Sequence, residues 1–301
     1  LLVYKLVQQI IFFLRKHSNK NTFHLFSWPY FSALVFALHP LSTQSVTYIS
    51  SRSSILATIF YILALILFFK GFNERKFNGK PGRIYFFVSS LFFLLGVLTK
   101  EIIITLPAAL FIFHYYFIWK KSFREWIAIY GKWVLLLLIP ILAGIGYKQF
   151  IGGGFLAASS AKLSSSTWLL TQTSVVPFEY FRKFLFPFNL NLDINFPILT
   201  NWLNPQNWLG MFSLGVIIII WIRISMVNKQ NTAWEIEKRC AGFGFAWIFL
   251  TLLPTSSFIP LLDPVMEHRT YLPLVGFALV AASTFSWTYL TCLKINLKRF
   301  L

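Results

Sequence analysis

The chain has 301 residues, of which 57% are hydrophobic, 19% aromatic and only 12% charged. A soluble domain carries about 25% charged residues, so the polar residues here are too few to cover a water-soluble globule, and the composition indicates a membrane protein. The formal net charge of +18 does not indicate a nucleic-acid binder, because the basic residues lie in short gaps between apolar runs rather than on one groove-sized face. Anionic lipid head groups are the expected counter-charge.

Nine apolar segments follow one another along the chain. They lie at 1–14, 24–40, 54–70, 84–99, 102–119, 132–148, 208–226, 241–256 and 271–292. The first is shorter than the ~20 residues needed to cross hydrocarbon and lacks an initiator Met, so we expect it to be the end of a truncated helix in a fragment. The other eight are expected to span. The sequence therefore predicts a single all-α, polytopic integral membrane domain over 1–301.

The basic residues predict how this domain is oriented. If the segments alternate across the membrane, nineteen Lys and Arg residues fall on one side and seven on the other. The side with nineteen is predicted to be cytoplasmic. The external side holds Arg52, Lys100, Lys148, Lys162, Arg182, Lys183 and Arg269, together with Glu101, Glu179, Asp193, Asp263 and Glu267. Its charges are nearly balanced and lie close to helix ends, where ionisable groups tend to mark functional sites.

The longest stretch between spans, 149–207, is predicted to be external. It opens with Gly152–Gly154 and clusters of serine, which are small, flexible residues. The part from Trp168 to Phe186 interleaves charged and aromatic residues, which predicts an amphipathic helix lying in the membrane interface. Loops of this length are usually functional or disordered, and we expect this one to act as a substrate gate.

Two polar clusters interrupt the apolar runs on the external side. In the first, His39-Pro40 is followed by Arg52; Pro40 ends the preceding helix, and Arg52 either reaches the interface as an anchor or grips a phosphate. In the second, Lys100-Glu101 lies between two apolar runs with almost no loop. These two charges either pair with each other, or Lys100 faces a ligand anion that Glu101 helps to orient.

The densest polar cluster runs from Pro254 to Pro273 and contains Glu267-His268-Arg269. It is either a helix cap with interface anchors or a site that meets a head group from several directions. Three consecutive side chains at a helix start point different ways and do not form one metal-binding face, so no metal is expected. The chain also has no phosphate-binding glycine loop, serine elbow or zinc motif, and no cofactor is predicted.

Three of these stretches, in this order, resemble one family. They are His39-Pro40 with Arg52; Thr99-Lys100-Glu101 with the run Ile-Ile-Ile-Thr-Leu-Pro; and Pro254-Thr-Ser-Ser-Phe with Glu267-His268-Arg269-Thr-Tyr271-Leu-Pro273. They are similar to the membrane domain of the transmembrane/tetratricopeptide-repeat O-mannosyltransferases and their bacterial relatives, which belong to the GT-C class of glycosyltransferases. The resemblance covers nearly the whole chain, and the last motif is the most specific.

The resemblance implies transfer of a sugar from a polyprenyl-phosphate donor to a protein hydroxyl or a glycan on the external face. Many members carry Glu in place of Gln44 and an acidic residue in place of Ser53 or Ser54. The family's acidic pair, which includes the expected catalytic base, would precede Leu1, and its tetratricopeptide repeats would follow residue 301. The fragment is therefore expected to be inactive by itself.

The residues themselves are compatible with this function. A lipid-phosphate donor requires cations at head-group depth and a nearby carboxylate. We therefore expect Arg269, Arg52, Lys100 and His268 to bind the donor phosphate, with Glu267 and Glu101 as supporting carboxylates and His39 and Tyr271 as further supporting residues. The expected partners are the donor, membrane lipids and a protein or glycan acceptor, with no nucleic acid.

An alternative function is that of a non-catalytic transporter or flippase of lipid-linked sugars. A transporter would favour charges along a path through the bilayer, whereas almost every external charge here lies at a helix end. We find no Asn-x-Ser/Thr sequon, which favours a bacterial cytoplasmic membrane.

Overall fold

The computed structural model describes residues 1–17, 28–77, 81–119, 123–132, 164–226, 235–257, 260–261 and 263–300. Within these ranges every regular element is a helix, which agrees with the predicted all-α class. The apolar segment 132–148 and the glycine- and serine-rich start of the loop predicted to be an external substrate gate lie almost entirely outside the described residues.

Twelve helices are described. They are α1 (Leu2–His17), α2 (Trp28–Leu38), α3 (Ser42–Thr47), α4 (Arg52–Phe77), α5 (Arg83–Thr99), α6 (Leu106–Phe113), α7 (123–132), α8 (Ser165–Val175), α9 (Arg182–Leu185), α10 (Pro205–Ser225), α11 (Glu235–Leu252) and α12 (Pro273–Phe300). Short 3-10 turns occur at Ile49–Ser51, Glu101–Thr105 and Glu267–Thr270, and π-helical turns at His114–Ile118 and Val176–Phe181.

Local sequence explains several helix ends. The Asn204 side chain accepts a hydrogen bond from the Gln206 N–H, and Pro205 occupies the first helical position of α10, where its missing N–H costs nothing. Ser164 caps α8 in the same way, accepting from the Thr167 N–H. Lys100 ends α5 because its backbone is extended, with φ −161° and ψ 142°. The chain then re-enters a helix immediately.

The helices pack mainly as neighbours in sequence. α4 packs against α5, α11 against α12, and α2 against both α1 and α12, while α10 lies against α8 and α11. Small residues allow the closest approach: a Cβ added at Gly244 would lie 2.6 Å from the Gly276 carbonyl oxygen. Such glycine contacts are typical of helix interfaces within membranes. Aromatic side chains fill the middle of the bundle, where the Phe69 and Phe113 rings stack 3.8 Å apart.

The predicted number of membrane spans is too high for the described residues. Three helical stretches are long and apolar enough to cross a membrane: Ile49–Arg75, Glu101–Ile118 and Pro205–Ser225. Eight spans are not supported. The described helices at Trp28–Leu38 and Arg83–Thr99 are apolar but shorter. Residues 18–27, before Trp28, lie outside the described ranges, and the extended backbone at Lys100 ends α5.

The helix predicted at Trp168–Phe186 is present, but it is buried in the protein. It forms α8, the π-helical turn and α9, and Trp168, Tyr180 and Phe184 are all nearly fully buried. The structure therefore does not give this segment the solvated face of an amphipathic helix, and its place in a membrane interface stays a prediction. Its charged residues suggested a solvated face, whereas Lys183 lies in the interior within an ion-pair network.

Candidate functional site

The segments predicted to be external meet at one end of the bundle. The side chain of Gln44, in α3, bonds to two of these segments. Its Nε2 donates to the Leu192 carbonyl at 2.9 Å, and its Oε1 accepts from the His268 N–H. Gln172 in α8 donates to the Pro264 carbonyl at 3.0 Å. Three stretches far apart in sequence are thus held together by buried side-chain amides.

The buried carboxylate of Glu267 connects several segments at this end of the bundle. It is 4% exposed, and its Oε1 accepts from the Lys183 ammonium and from the Asn191 N–H, both at 3.0 Å. Lys183, which is almost fully buried, also lies 2.9 Å from the Glu179 carboxylate. An uncompensated buried charge is costly, so this network fixes the Glu267–Thr270 turn against α9 and the loop after it.

Two cations lie beside this network. Lys100 is half-buried and donates to the Ser54 hydroxyl at 2.7 Å, and Arg269 is 8% exposed and donates to the Pro264 carbonyl at 3.4 Å. The pKa of Lys100 is lowered, first by burial and then by the positive charge of Arg269, although Glu101 acts in the opposite direction. Among the described residues neither cation is hydrogen-bonded to a carboxylate. Both therefore keep positive charge that an anion would stabilise.

His268 is close enough to both cations for their charges to act on it, and it is a neutral group. Burial, together with the charges of Lys100 and Arg269, lowers its pKa to about 4. Its Nδ1 atom is buried and has no hydrogen-bond partner among the described residues. A neutral imidazole can donate or accept one hydrogen bond at this atom, so His268 contributes a polar contact rather than a charge.

The remaining predicted site residues occupy different positions. Glu101 is exposed and close enough to act on the charge of Lys100. Arg52 is exposed at the start of α4, and its guanidinium makes no contact with a charged partner among the described residues. Tyr271 is half-buried, with its ring 5.1 Å from that of Phe36, and burial raises its pKa.

His39 has a structural role. Its Nδ1 accepts from the Leu41 N–H at 3.3 Å, so its Nε2 carries the proton and donates to the Phe184 carbonyl at 3.0 Å. Burial lowers its pKa, which favours this neutral form. His39 therefore ties the end of α2 to α9 and does not reach the cation pair through any described contact.

Sequence reasoning did not identify Lys183, Gln44 and Ser54 as part of this arrangement. The signal for Lys183 was its position among aromatics, where a charge requires a buried partner. Ser54 and Gln44 gave no signal from the residues themselves. Among the described residues no group of three His, Cys, Asp or Glu side chains is arranged to hold a metal ion.

The fold and the site define a helical bundle that has helices able to cross a membrane and, at one end, a site rich in cations. The chain is 27% identical over 290 residues to a protein O-mannosyl-transferase of Caenorhabditis elegans, F38B6.6. The alignment covers 93% of this chain but only 37% of the relative. No family model and no solved structure matches the chain.

Proposed function

We propose that this chain is the membrane domain of a glycosyltransferase of the GT-C class. It would transfer a sugar, as an O-mannosyltransferase does, from a polyprenyl-phosphate donor to a protein hydroxyl or a glycan. The observation that carries the proposal is the pair Lys100 and Arg269, which lie near each other at the end of an apolar bundle without a hydrogen-bonded carboxylate. The similarity to a protein O-mannosyl-transferase over 93% of the chain supports the reaction class.

In this proposal the cation pair binds the donor phosphate and stabilises it as the leaving group. The acceptor oxygen attacks the anomeric carbon, the bond from that carbon to the phosphate oxygen breaks, and a carboxylate takes the acceptor's proton. Negative charge develops on the departing phosphate, and cations already in place stabilise it without reorganisation. The neutral His268 adds a hydrogen bond through Nδ1, while Glu267 positions the turn.

In the family that the chain resembles, an acidic pair in the first outer loop is the expected proton-accepting base, and tetratricopeptide repeats accompany the membrane domain. We accordingly propose that transfer requires the longer protein, in line with the 37% coverage of the relative. We further propose that the site faces the external side of a membrane. The segment alternation predicted from the sequence assigns seven Lys and Arg residues to its loops and nineteen to the opposite loops, and loops rich in Lys and Arg are typically cytoplasmic. The absence of a sequon supports a bacterial cytoplasmic membrane.

The three candidate spans favour an enzyme over a transporter of lipid-linked sugars. The charged residues of Ile49–Arg75 are Arg52, Lys70, Glu74 and Arg75, all near its ends. Glu101–Ile118 carries charge only at Glu101, and Pro205–Ser225 only at Arg223. Such spans offer no charged path through the bilayer.

A transfer assay tests the proposal. Full-length protein in proteoliposomes would be given polyprenyl-phosphate mannose with labelled sugar and a serine- and threonine-containing acceptor peptide. Arg269→Gln is expected to lower the rate of transfer by about 100-fold, since removing one preformed anion-stabilising donor has effects of that order. Arg83→Gln, at the exposed start of α5, is the matched control and should be unchanged.

Two results would contradict the proposal. One is wild-type transfer by Arg269→Gln. The other is movement of labelled donor across the membrane with no sugar covalently attached to the peptide, which would indicate a flippase.

A further inference from the structure

A cleft lies at the opposite end of the bundle from the cation pair. It is a small cleft, partly open to solvent, and it is lined by Tyr115, Tyr116, Ile224, Ser225, Glu235, Lys238 and Arg239. Three elements form it: the π-helical turn His114–Ile118, the last turn of α10 and the first turns of α11. π-Helical turns often occur at functional sites, and the proposed sugar transfer uses none of these residues.

The hydrogen bonds of the cleft leave donors unused. The Trp221 indole N–H donates to the Tyr116 hydroxyl at 3.1 Å, and that hydroxyl lies 2.6 Å from the Ser225 Oγ. If Tyr116 donates to Ser225, the Ser225 proton is free to donate in turn. Arg239 donates to the Tyr116 carbonyl at 3.2 Å and to the Glu235 carboxylate, but its Nε–H is buried without a partner among the described residues.

The charges that face the cleft sum to a positive value. Lys238 and Arg239 outweigh Glu235, and Lys238 has no hydrogen-bond or ion-pair partner in the described part of the chain. Glu237 is not among the residues that line the cleft, and its carboxylate accepts from the Ser286 hydroxyl of α12 at 3.3 Å. The surplus of donors and of positive charge is the chemistry that recognises an oxyanion.

The surroundings of the cleft indicate how an oxyanion would reach it. Ile224 belongs to α10, a candidate span of which only 6% of the apolar window is buried in the protein. The cleft therefore lies beside a largely exposed apolar helix that is long enough to cross a membrane. The segment alternation predicted from the sequence assigns most of the Lys and Arg residues to this end of the bundle, where anionic lipids are expected to gather.

We propose that this cleft binds the phosphate of an anionic phospholipid head group, with Arg239, Lys238 and the Ser225 hydroxyl as its donors. Glu235 neutralises part of this charge in the empty cleft and opposes the phosphate. The site is independent of the proposed sugar transfer and would be occupied whether or not transfer occurs.

Native mass spectrometry of the full 301-residue chain in detergent tests this proposal. Phosphatidylglycerol is added in steps, and the retained lipid is compared between variants. Arg239→Gln and Lys238→Gln should each weaken retention, Arg239→Gln by about 10-fold because it removes a charge-assisted donor. Glu235→Gln should strengthen retention, because it removes the opposing charge. Arg223→Gln, exposed on α10 outside the cleft, is the control and should retain lipid as the wild type does.

These outcomes distinguish specific lipid binding in the cleft from non-specific attraction of lipid to surface charge. Equal losses in Arg223→Gln and Arg239→Gln would overturn the proposal, as would weaker retention in Glu235→Gln. Lys238→Gln provides a second test if Arg239→Gln misfolds, because Lys238 makes no hydrogen bond or ion pair among the described residues that the substitution would remove. Inorganic phosphate added in place of the lipid should not compete at equal concentration; full competition would show a soluble phosphate site and contradict the lipid assignment.

Discussion

At the scale of single residues, the contacts around Glu267 separate structural charges from available ones. Its carboxylate is occupied by Lys183 and the Asn191 N–H inside the protein. Lys100 and Arg269 instead donate only to neutral oxygens among the described residues. The partners of a charged side chain therefore indicate whether its charge is neutralised within the protein or is available to a ligand.

The buried ion-pair network should contribute strongly to stability. Lys183→Met leaves Glu179 and Glu267 without their shared cation, and removing one partner of a buried pair costs about 3–5 kcal/mol. The measurement is the free energy of unfolding of the chain in detergent, from denaturant titration followed by circular dichroism. Arg182→Met is the adjacent control: its 3.8 Å pair with Glu179 is partly exposed and is expected to contribute about 0–1 kcal/mol. Equal losses in the two variants would contradict the interior role of Lys183.

His268 should make stability depend on pH. Its pKa is lowered from 6.5 to about 4 in the folded protein, so the unfolded chain binds more protons between these values. Stability from this group is complete above pH 6.5 and is lost as the pH falls towards 4. The melting temperature of His268→Gln should therefore fall less than that of the wild type over this range. His39, whose pKa is lowered in the same direction, remains in both proteins, and parallel pH profiles would argue against a buried neutral His268.

The sequence predicts the residue types of the site better than their contacts. Glu267, His268 and Arg269 stand out because their motif is dense in polar groups. Lys183 is 84 residues from Glu267 in sequence, and Gln44 is 224 residues from His268. Contacts over such separations are set by helix packing, which charge and hydropathy patterns do not encode.

At the scale of elements, the close contact between α11 and α12 depends on two glycines. A Cβ at Gly244 would lie 2.6 Å from the Gly276 carbonyl oxygen, whereas a Cβ at Gly215 in α10 meets nothing within 4 Å. Gly244→Ala should therefore separate the helices and lower the melting temperature. Gly215→Ala should be neutral or stabilising by about 0.5–1 kcal/mol, as expected for helix interiors. Melting curves of the two variants in one detergent provide the comparison, and a stabilised Gly244→Ala would refute this packing.

The elements also show where hydropathy misleads. Apolar runs predict helices over most of the described chain, but the extended backbone at Lys100 ends α5 after 17 residues, and the chain enters the next helical stretch at once. The sequence of Trp168–Phe186 predicts an amphipathic helix. In the structure Lys183 is buried against the carboxylates of Glu179 and Glu267, which the periodicity of the sequence does not reveal.

At the scale of the whole molecule, the two ends of the bundle differ in charge and in proposed role. The orientation can be tested with single cysteines placed in a chain in which Cys240 and Cys292 are replaced by alanine. A membrane-impermeant maleimide added from outside should label Asp193→Cys, in the loop whose Asn191 N–H donates to Glu267. It should not label Arg83→Cys until the membrane is permeabilised. Both positions are exposed, so accessibility within the protein is matched, and the reverse pattern would place the site on the cytoplasmic side.

The central claim is that Lys100 and Arg269 together hold the phosphate of a lipid-linked sugar. It is tested most directly by equilibrium binding of polyprenyl-phosphate mannose, labelled at phosphorus, to the full-length protein in nanodiscs. Lys100→Met and Arg269→Gln are each expected to weaken binding by about 10-fold or more, as the loss of a charge-assisted hydrogen bond does. Arg83→Gln should bind as the wild type does. Unchanged affinity in both Lys100→Met and Arg269→Gln would contradict the account.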